Sequence, residues 1–175
     1  MISDLLSFVW FHPLNRANRF AALSRVLRWQ IASRLMPDLI ALPFVEDRFL
    51  FAKRGLTGVT GNYYCGLHEL NEMAFVLHML RAGDHFVDIG ANVGSYTVLA
   101  SATGSKVVAI EPIPTTFRHL SFNISLNSLH DTVTVHNIGL SNEVGVLRFS
   151  EGLDTVNHVL AYDEDLASEI GRAHV

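Results

Sequence analysis

A glycine-containing turn and an acidic residue downstream of it are the parts of this chain best suited to bind a ligand. The segment 86–96 has two apolar residues before Asp88, then Gly90 and Gly94, and then a second apolar run. This pattern predicts a buried strand, a tight turn that lets a ligand approach the backbone, and the start of a helix. Glu111 ends the next apolar run, where an acid can bind ribose hydroxyls. Together these residues indicate a cofactor that contains a nucleoside.

The glycine spacing distinguishes two such cofactors. A dinucleotide fingerprint would need glycines at the positions of Asn92 and Ser95. The Asp88 carboxylate can hold N–H groups of the turn and face a ligand ammonium group, which S-adenosylmethionine (SAM) has and NAD lacks. We therefore expect a SAM-dependent methyltransferase. The alternative is a non-catalytic or truncated remnant of such a fold, and an NAD-linked oxidoreductase is less favoured. The predicted cofactor-binding residues are Asp88, Gly90, Ala91, Asn92, Gly94, Glu111, Asn137 and Ile138.

Two further pairs of residues have predicted roles. Asn137 and Ile138 follow the third apolar run, where they would contact the edge and the face of the adenine ring; a plain turn is an equal alternative. His68 and Glu69 precede the cofactor segment and are the predicted catalytic residues, as bases that take a proton from the acceptor. The chain has 9 histidines, but none shows the spacing of a metal site, so no metal is expected.

The elements that must position these residues alternate along the chain. Such alternation is typical of an α/β fold in which crossover helices join parallel strands. Predicted strands cover 48–52, 58–60, 85–89, 106–110, 132–136 and 145–149, predicted helices 69–81, 94–103 and 114–128, with loop at 61–66 and loop or a short helix in 151–170.

The number of predicted strands indicates whether the domain is complete. A doubly wound site needs strands on both sides of the first one, and only three core strands are evident. We therefore expect a Rossmann-like domain whose second half is incomplete, in a chain that is a fragment or a truncated product. The predicted domains are an N-terminal helical extension, 1–42, and a partial SAM-binding domain, 43–175.

Composition limits the classes of protein. The 49% hydrophobic content supports a core, and the single cysteine excludes an internal disulfide and suits the cytoplasm. The net charge of −4 and the lack of a long basic run argue against nucleic-acid binding. We therefore expect a small-molecule or glycan acceptor.

The N-terminal segment predicts a helix over 15–35 with an apolar stripe. Packing of this stripe on the core is the favoured interpretation. Five arginines permit an alternative, weak contact with an anionic membrane surface. Self-association through the uncovered edge of the first core strand is also expected. The stripe consists of Phe20, Leu23, Leu27, Ile31 and Leu35.

Several segments together resemble the FkbM-type SAM-dependent methyltransferases. The similarity covers about 45–160 and is carried by 86–97, 109–112, the lead-in 58–69, Asn123 and Asn127. It implies a class I methyltransferase fold and methyl transfer to a hydroxyl of a sugar, a polyketide or a related metabolite. The resemblance also assigns 88–94 to the methionine side of the cofactor and Glu111 to its ribose. The acidic fourth-strand motif of that family is absent.

Overall fold

Two units make up the chain, Met1–Phe75 and Val76–Val175. The computed structural model describes residues 2–36, 38–142, 145–150 and 170–174. The predicted boundary at residue 42 separates an N-terminal extension from a cofactor-binding domain. The division into compact units does not test it, so it stays a prediction. The elements of the first unit are α1 (Ile2–Phe11), a 3₁₀ turn (Pro13–Asn15), α2 (Arg19–Leu35), β1 (Ile40–Pro43), β2 (Phe49–Ala52) and α3 (Thr57–Cys65); α4 (Leu70–Met79) crosses the boundary.

Helix α2 begins later than predicted and buries a different face. The Asn18 side chain caps its first turn by accepting a hydrogen bond from the Ala21 N–H at 2.9 Å. The predicted core stripe is largely exposed, with Phe20 at 77% and Leu35 at 76%. The expected packing of this stripe on the core is therefore wrong. The buried face instead carries Ala22, Val26, Trp29 and Ser33.

The segment predicted as a short strand and a loop is a helix. Helix α3 spans Thr57–Cys65 and ends at Gly66, whose φ of 87° is the left-handed conformation that favours glycine. Buried Asn15 donates from its side-chain amide to the Val9 carbonyl at 2.9 Å and to the Tyr64 carbonyl at 3.3 Å. Arg25 donates to the same Tyr64 carbonyl at 2.6 Å. Asn15 and Arg25 thus supply donors to a carbonyl at the end of α3, although both lie far from it in the sequence.

The second unit contains the predicted parallel sheet. Its strands are β3 (His85–Ile89), β4 (Lys106–Ile110) and β5 (Val133–His136), in the order β3-β4-β5, and both pairings are parallel. Helix α5 (Ser95–Ala102) and helix α6 (Pro114–Leu126) supply the crossovers. The predicted α/β arrangement, in which crossover helices join parallel strands, is thus confirmed.

The two faces of this sheet differ in burial. Asp88, Val107 and Ala109 share one face, and all three are buried. Val87 and Ile89 point to the opposite face and are 54% and 64% exposed. Alternation along β3 therefore directs Asp88 into the protein while its neighbours in sequence face outward.

The remaining strands pair with each other. Strand β6 (Val146–Ser150) lies antiparallel to β7 (Ile170–His174), so the predicted extra strand is confirmed with a shift of one residue. The loop or short helix expected within 151–170 lies almost entirely outside the described residues. None of the described helices is both long and apolar enough to span a membrane.

Candidate cofactor-binding site

The turn after β3 needs left-handed backbone at three positions. Gly90, Asn92 and Gly94 have φ of 75°, 50° and 92°. Glycine adopts this region at no steric cost, and asparagine tolerates it better than most other residues. The sequence pattern of glycine, asparagine and glycine is therefore dictated by the backbone path from β3 into α5.

The two glycines serve different purposes. A Cβ added at Gly94 would lie 2.6 Å from Cδ1 of Leu120, so this position is closed by the packing of α6. A Cβ added at Gly90 would meet nothing within 4 Å. Both the left-handed backbone and the Leu120 side chain favour glycine at position 94, and the predicted contact of Gly94 with a ligand stays a prediction. Gly90 borders open space where a ligand can approach.

The backbone donors of this turn are already used. The N–H groups of Gly90 and Ala91 both donate to the Ile110 carbonyl, at 2.9 and 3.0 Å. The N–H of Val93 donates to Oδ1 of Asn92 at 2.7 Å, and the N–H of Gly94 donates to the Ala91 carbonyl at 2.8 Å. A pyrophosphate needs free donors at such a turn. This turn therefore does not suit a dinucleotide.

Glu111 holds the turn to the end of β4. Its Oε2 accepts from the Asn92 N–H and its Oε1 accepts from the Ile113 N–H, both at 2.9 Å. The side chain is only 4% exposed. Burial raises the pKa of this carboxyl, the two N–H donors oppose that rise, and the nearby Asp88 charge adds to it.

Asp88 contacts the helix and not the turn. Its Oδ2 accepts from the Thr97 hydroxyl at 2.5 Å, inside the first turn of α5. Burial raises the pKa of Asp88, and hydrogen bonds from the Thr97 hydroxyl and backbone oppose that rise. The sequence analysis had assigned the N–H groups of the turn to Asp88, which is wrong, because Glu111 holds the Asn92 N–H. Thr97 was not predicted, and its type alone gave no signal.

Helix α6 supports the turn from behind. The fully buried Asn123 amide donates to the Val93 carbonyl at 2.7 Å. One turn further, the Asn127 amide donates to the Asn123 carbonyl at 2.7 Å. Sequence analysis noted both asparagines but predicted no role for them. Asn123 restrains the turn that carries Asn92.

Asn137 and Ile138 follow β5 at the same edge of the sheet. The Asn137 amide donates to the carbonyls of Glu111 and Pro112, at 2.8 and 3.0 Å. This residue therefore joins the ends of β4 and β5, in addition to any contact with a base. Ile138 is 39% exposed, as packing against a ring requires.

His68 and Glu69 lie in the first unit. The His68 N–H donates to Oδ1 of Asn62 at 2.7 Å, and its ring packs edge-on against Phe8 at 5.2 Å. A Cβ at Gly61 would collide with this ring, so glycine is needed there. The buried Nδ1 of His68 has no hydrogen-bond partner among the described residues. Glu69 is exposed. Their catalytic roles stay predictions.

These observations define the kind of ligand that fits. The site presents buried carboxylate oxygens from two adjacent strand ends, and its turn N–H groups are used internally. Such a site accepts hydrogen bonds, which suits the ribose hydroxyls and ammonium group of SAM. No group of three or more potential metal ligands occurs in the described part of the chain. Fold and site together indicate a SAM-binding domain of the methyltransferase class.

Comparison with known proteins identifies the family. The model of the TRM5/TYW2 methyltransferase domain matches residues 59–157, which is more than half of the chain. The chain belongs to this family. Its enzymes are SAM-dependent methyltransferases, which confirms the predicted class and cofactor.

Individual relatives match only in part. A tRNA (guanine(37)-N(1))-methyltransferase of Danio rerio is 33% identical over 63 residues, which is 36% of this chain and 13% of the relative. A Pyrococcus horikoshii protein classed as a transferase has a TM-score of 0.47 and 21% identity, and covers 59% of this chain. The TYW2 of that organism, solved with MeSAdo, has a TM-score of 0.42 and 20% identity, with the same coverage. The chain spans 37% of the length of each solved structure.

Two predictions are corrected by these matches. The resemblance to the FkbM family is wrong, because the matching family model is TRM5/TYW2. The partner prediction of a small-molecule or glycan acceptor and no nucleic acid is also wrong, since the relative acts on a tRNA. The expected membrane contact and self-association stay predictions. Net charge misled the prediction because nucleic-acid binding depends on local charge.

Proposed function

We propose that this chain is the cofactor-binding domain of a tRNA methyltransferase that modifies N1 of guanine 37. The observation that carries the proposal is the donor-saturated turn beside two buried carboxylates, Asp88 and Glu111. The family match over 59–157 and the named activity of the Danio rerio relative support it.

The residues of the site have distinct proposed tasks. Glu111 uses one lone pair of each carboxylate oxygen for backbone N–H groups, and the others remain for ribose hydroxyls. Asp88 provides a negative charge for the ammonium group of the cofactor. Gly90 and Ala91 let the ligand lie against the backbone, and Ile138 packs on the adenine ring. Asn137 fixes the edge along which the base lies.

For methyl transfer, the protein must align the acceptor with the methyl group and supply a base. When bound, SAM supplies an electrophilic methyl group, and the enzyme must align the acceptor with it. N1 of guanine carries a proton, so a base that removes this proton promotes attack. We propose Glu69 as that base, with His68 as the second candidate.

Methyl transfer from radiolabelled SAM to an unmodified tRNA transcript tests the function. We expect label in a transcript with guanine at position 37 and none in a matched transcript with adenine there. Digestion to nucleosides should give 1-methylguanosine. Equal label in both transcripts, or label in another nucleoside, would contradict the proposed target.

Glu69→Gln tests the base. We expect a fall in kcat with little change in S-adenosylhomocysteine affinity, because the substitution removes a proton acceptor and keeps the shape. Glu72→Gln is the matched control, since Glu72 is also exposed and lies on α4. If both variants keep the original kcat, Glu69 has no part in the reaction.

A further inference from the structure

One segment of the first unit carries several arginines without any acidic residue among them. Residues 5–36 contain five arginines and no aspartate or glutamate. This segment lies entirely outside the family match, which begins at residue 59. Its local charge is opposite to that of the whole chain, which is −4. Exposed arginines in such a segment attract polyanions.

Aromatic rings lie beside the charge where α1 ends and α2 begins. The guanidinium of Arg19 lies 5.2 Å from the centroid of the Trp10 ring. Phe20 packs edge-on against the same ring at 5.9 Å, and it is 77% exposed. Phe11 is 67% exposed, and Arg16 is exposed between the two helices. We call Trp10, Phe11, Arg16, Arg19 and Phe20 the elbow patch.

The unsatisfied groups of the patch suit a particular ligand. The buried Nε of Arg19 has no hydrogen-bond partner among the described residues, although the guanidinium lies over the Trp10 ring. Exposed aromatic faces stack on unpaired bases, and arginines beside them contact phosphates. An apolar protein surface could pack against the rings but would not neutralise the arginines.

We propose that the elbow patch binds an unpaired segment of the RNA substrate, with a base stacked on Phe20 and phosphates held by Arg16 and Arg19. The inference rests on the proposed function, because it takes the acceptor to be RNA. It adds a second point of contact, within the first unit. The patch would contribute affinity for RNA and would leave the affinity for the cofactor unchanged.

Fluorescence anisotropy of a labelled, unmodified tRNA transcript with the 175-residue chain tests the patch. We expect Phe20→Ala to weaken RNA binding by at least about fivefold, because stacking on one aromatic ring is lost. Arg16→Ala should reduce the slope of log affinity against log salt concentration by about 0.7. Arg19→Lys keeps the charge but loses the planar group, so it should weaken binding without changing that slope.

Matched controls come from α6. Arg118→Ala and Phe122→Ala remove an exposed arginine and an exposed phenylalanine from the second unit and should leave RNA affinity unchanged. Equal effects of patch and control variants would overturn the inference. Binding of phosphatidylglycerol vesicles as tight as that of RNA, and lost in the same patch variants, would overturn it as well.

Two other measurements separate this inference from the proposed function. S-adenosylhomocysteine titration should give the same affinity in every patch variant, and tryptophan fluorescence during urea unfolding should show that the first unit of each variant stays folded. If methyl transfer to tRNA proceeds and the patch variants bind RNA normally, only the inference fails. If RNA binding depends on the patch but no methyl group is transferred, the proposed function fails and the RNA surface stands.

Discussion

Among the described residues, both units bury neutral polar side chains, but buried acidic side chains occur in the second unit and not in the first. The first unit buries Asn15 and Asn62, which are neutral, at 3% and 2% exposure. The second unit buries the acids Asp88 and Glu111, at the edge of the sheet. Neutral groups complete the hydrogen bonds of helix ends and loops. Buried carboxylates cost more to desolvate, so their presence at one edge indicates a ligand that supplies hydrogen-bond donors.

Glu111→Ala should have the largest effect on the second unit. The change leaves two buried N–H groups without acceptors and removes the proposed ribose contacts. Since hydrogen bonds to charged groups contribute about 1.5–3 kcal/mol each, we expect S-adenosylhomocysteine affinity to fall by about 100-fold or more. Titration calorimetry measures this. Affinity within tenfold of the original protein would exclude Glu111 from the site.

Asn15→Leu should have the next largest effect, confined to the first unit. The Tyr64 and Val9 carbonyls lose their amide donor, and an unsatisfied buried group costs about 1–3 kcal/mol. Trp10 and Trp29 are the only tryptophans, and both lie in this unit. Their fluorescence during urea unfolding reports its free energy of unfolding. Unchanged stability, or a loss of cofactor affinity, would break the contrast between the units.

Asn123 and Asn127 sharpen the comparison within one helix. Both are buried and donate to carbonyls, Asn123 to Val93 in the cofactor turn and Asn127 to Asn123 in the helix. Both Leu variants should lose about 1–3 kcal/mol of stability. Only Asn123→Leu should also weaken S-adenosylhomocysteine binding, by a smaller factor than Glu111→Ala. Equal affinities in the two variants would show that the Val93 bond does not position the turn.

The response to pH should be smallest, and opposite in sign in the two units. Burial lowers the pKa of His12 from 6.5, so its contribution to stability is present above 6.5 and is lost as pH falls through the lowered pKa. The carboxyls of Asp88 and Glu111 have raised pKa values, so they favour folding at acid pH and this is lost as pH rises above 3.8–4.5.

Urea unfolding of the ligand-free protein at mildly acidic and neutral pH checks both signs. Tryptophan fluorescence should show a lower midpoint in acid, and His12→Gln should remove that shift. Asp88→Asn should remove part of the opposite trend seen by far-ultraviolet circular dichroism. A shift of the same sign for both probes would contradict the assignment.

The sequence predicted the elements of the second unit more accurately than those of the first. Strands β3 and β4 were predicted to the residue, because their apolar runs and the turn between them are local patterns. Helix α3 was missed, because its glycines and aromatics resemble a loop. What stabilises its end is Asn15 and Arg25, about forty to fifty residues away in sequence. The periodic pattern of apolar residues does not reveal contacts between residues so far apart in the sequence.

The residues of the candidate site could likewise be predicted only in part from the sequence. Asp88, Gly90, Asn92 and Glu111 were proposed from their spacing, and the structure brings them to one edge of the sheet, while their contacts with a ligand stay predictions. Which acid holds the turn could not be predicted, since it depends on the reach of the Glu111 side chain across to Asn92. The supporting Thr97 and Asn123 are ordinary helix residues in the sequence. Their partners appear only when α5 and α6 pack on the sheet.

The sequence by itself determined the α/β order of the second unit, the left-handed turn and the acid at the end of β4, because these depend on local periodicity and backbone conformation. Tertiary structure decided which face of α2 is buried and that the stripe with Phe20 is exposed. It also decided that the N–H groups of the turn are used internally, so that the edge accepts hydrogen bonds. The physical reason is that burial and hydrogen-bond partners are properties of neighbours in space, which a linear pattern does not contain.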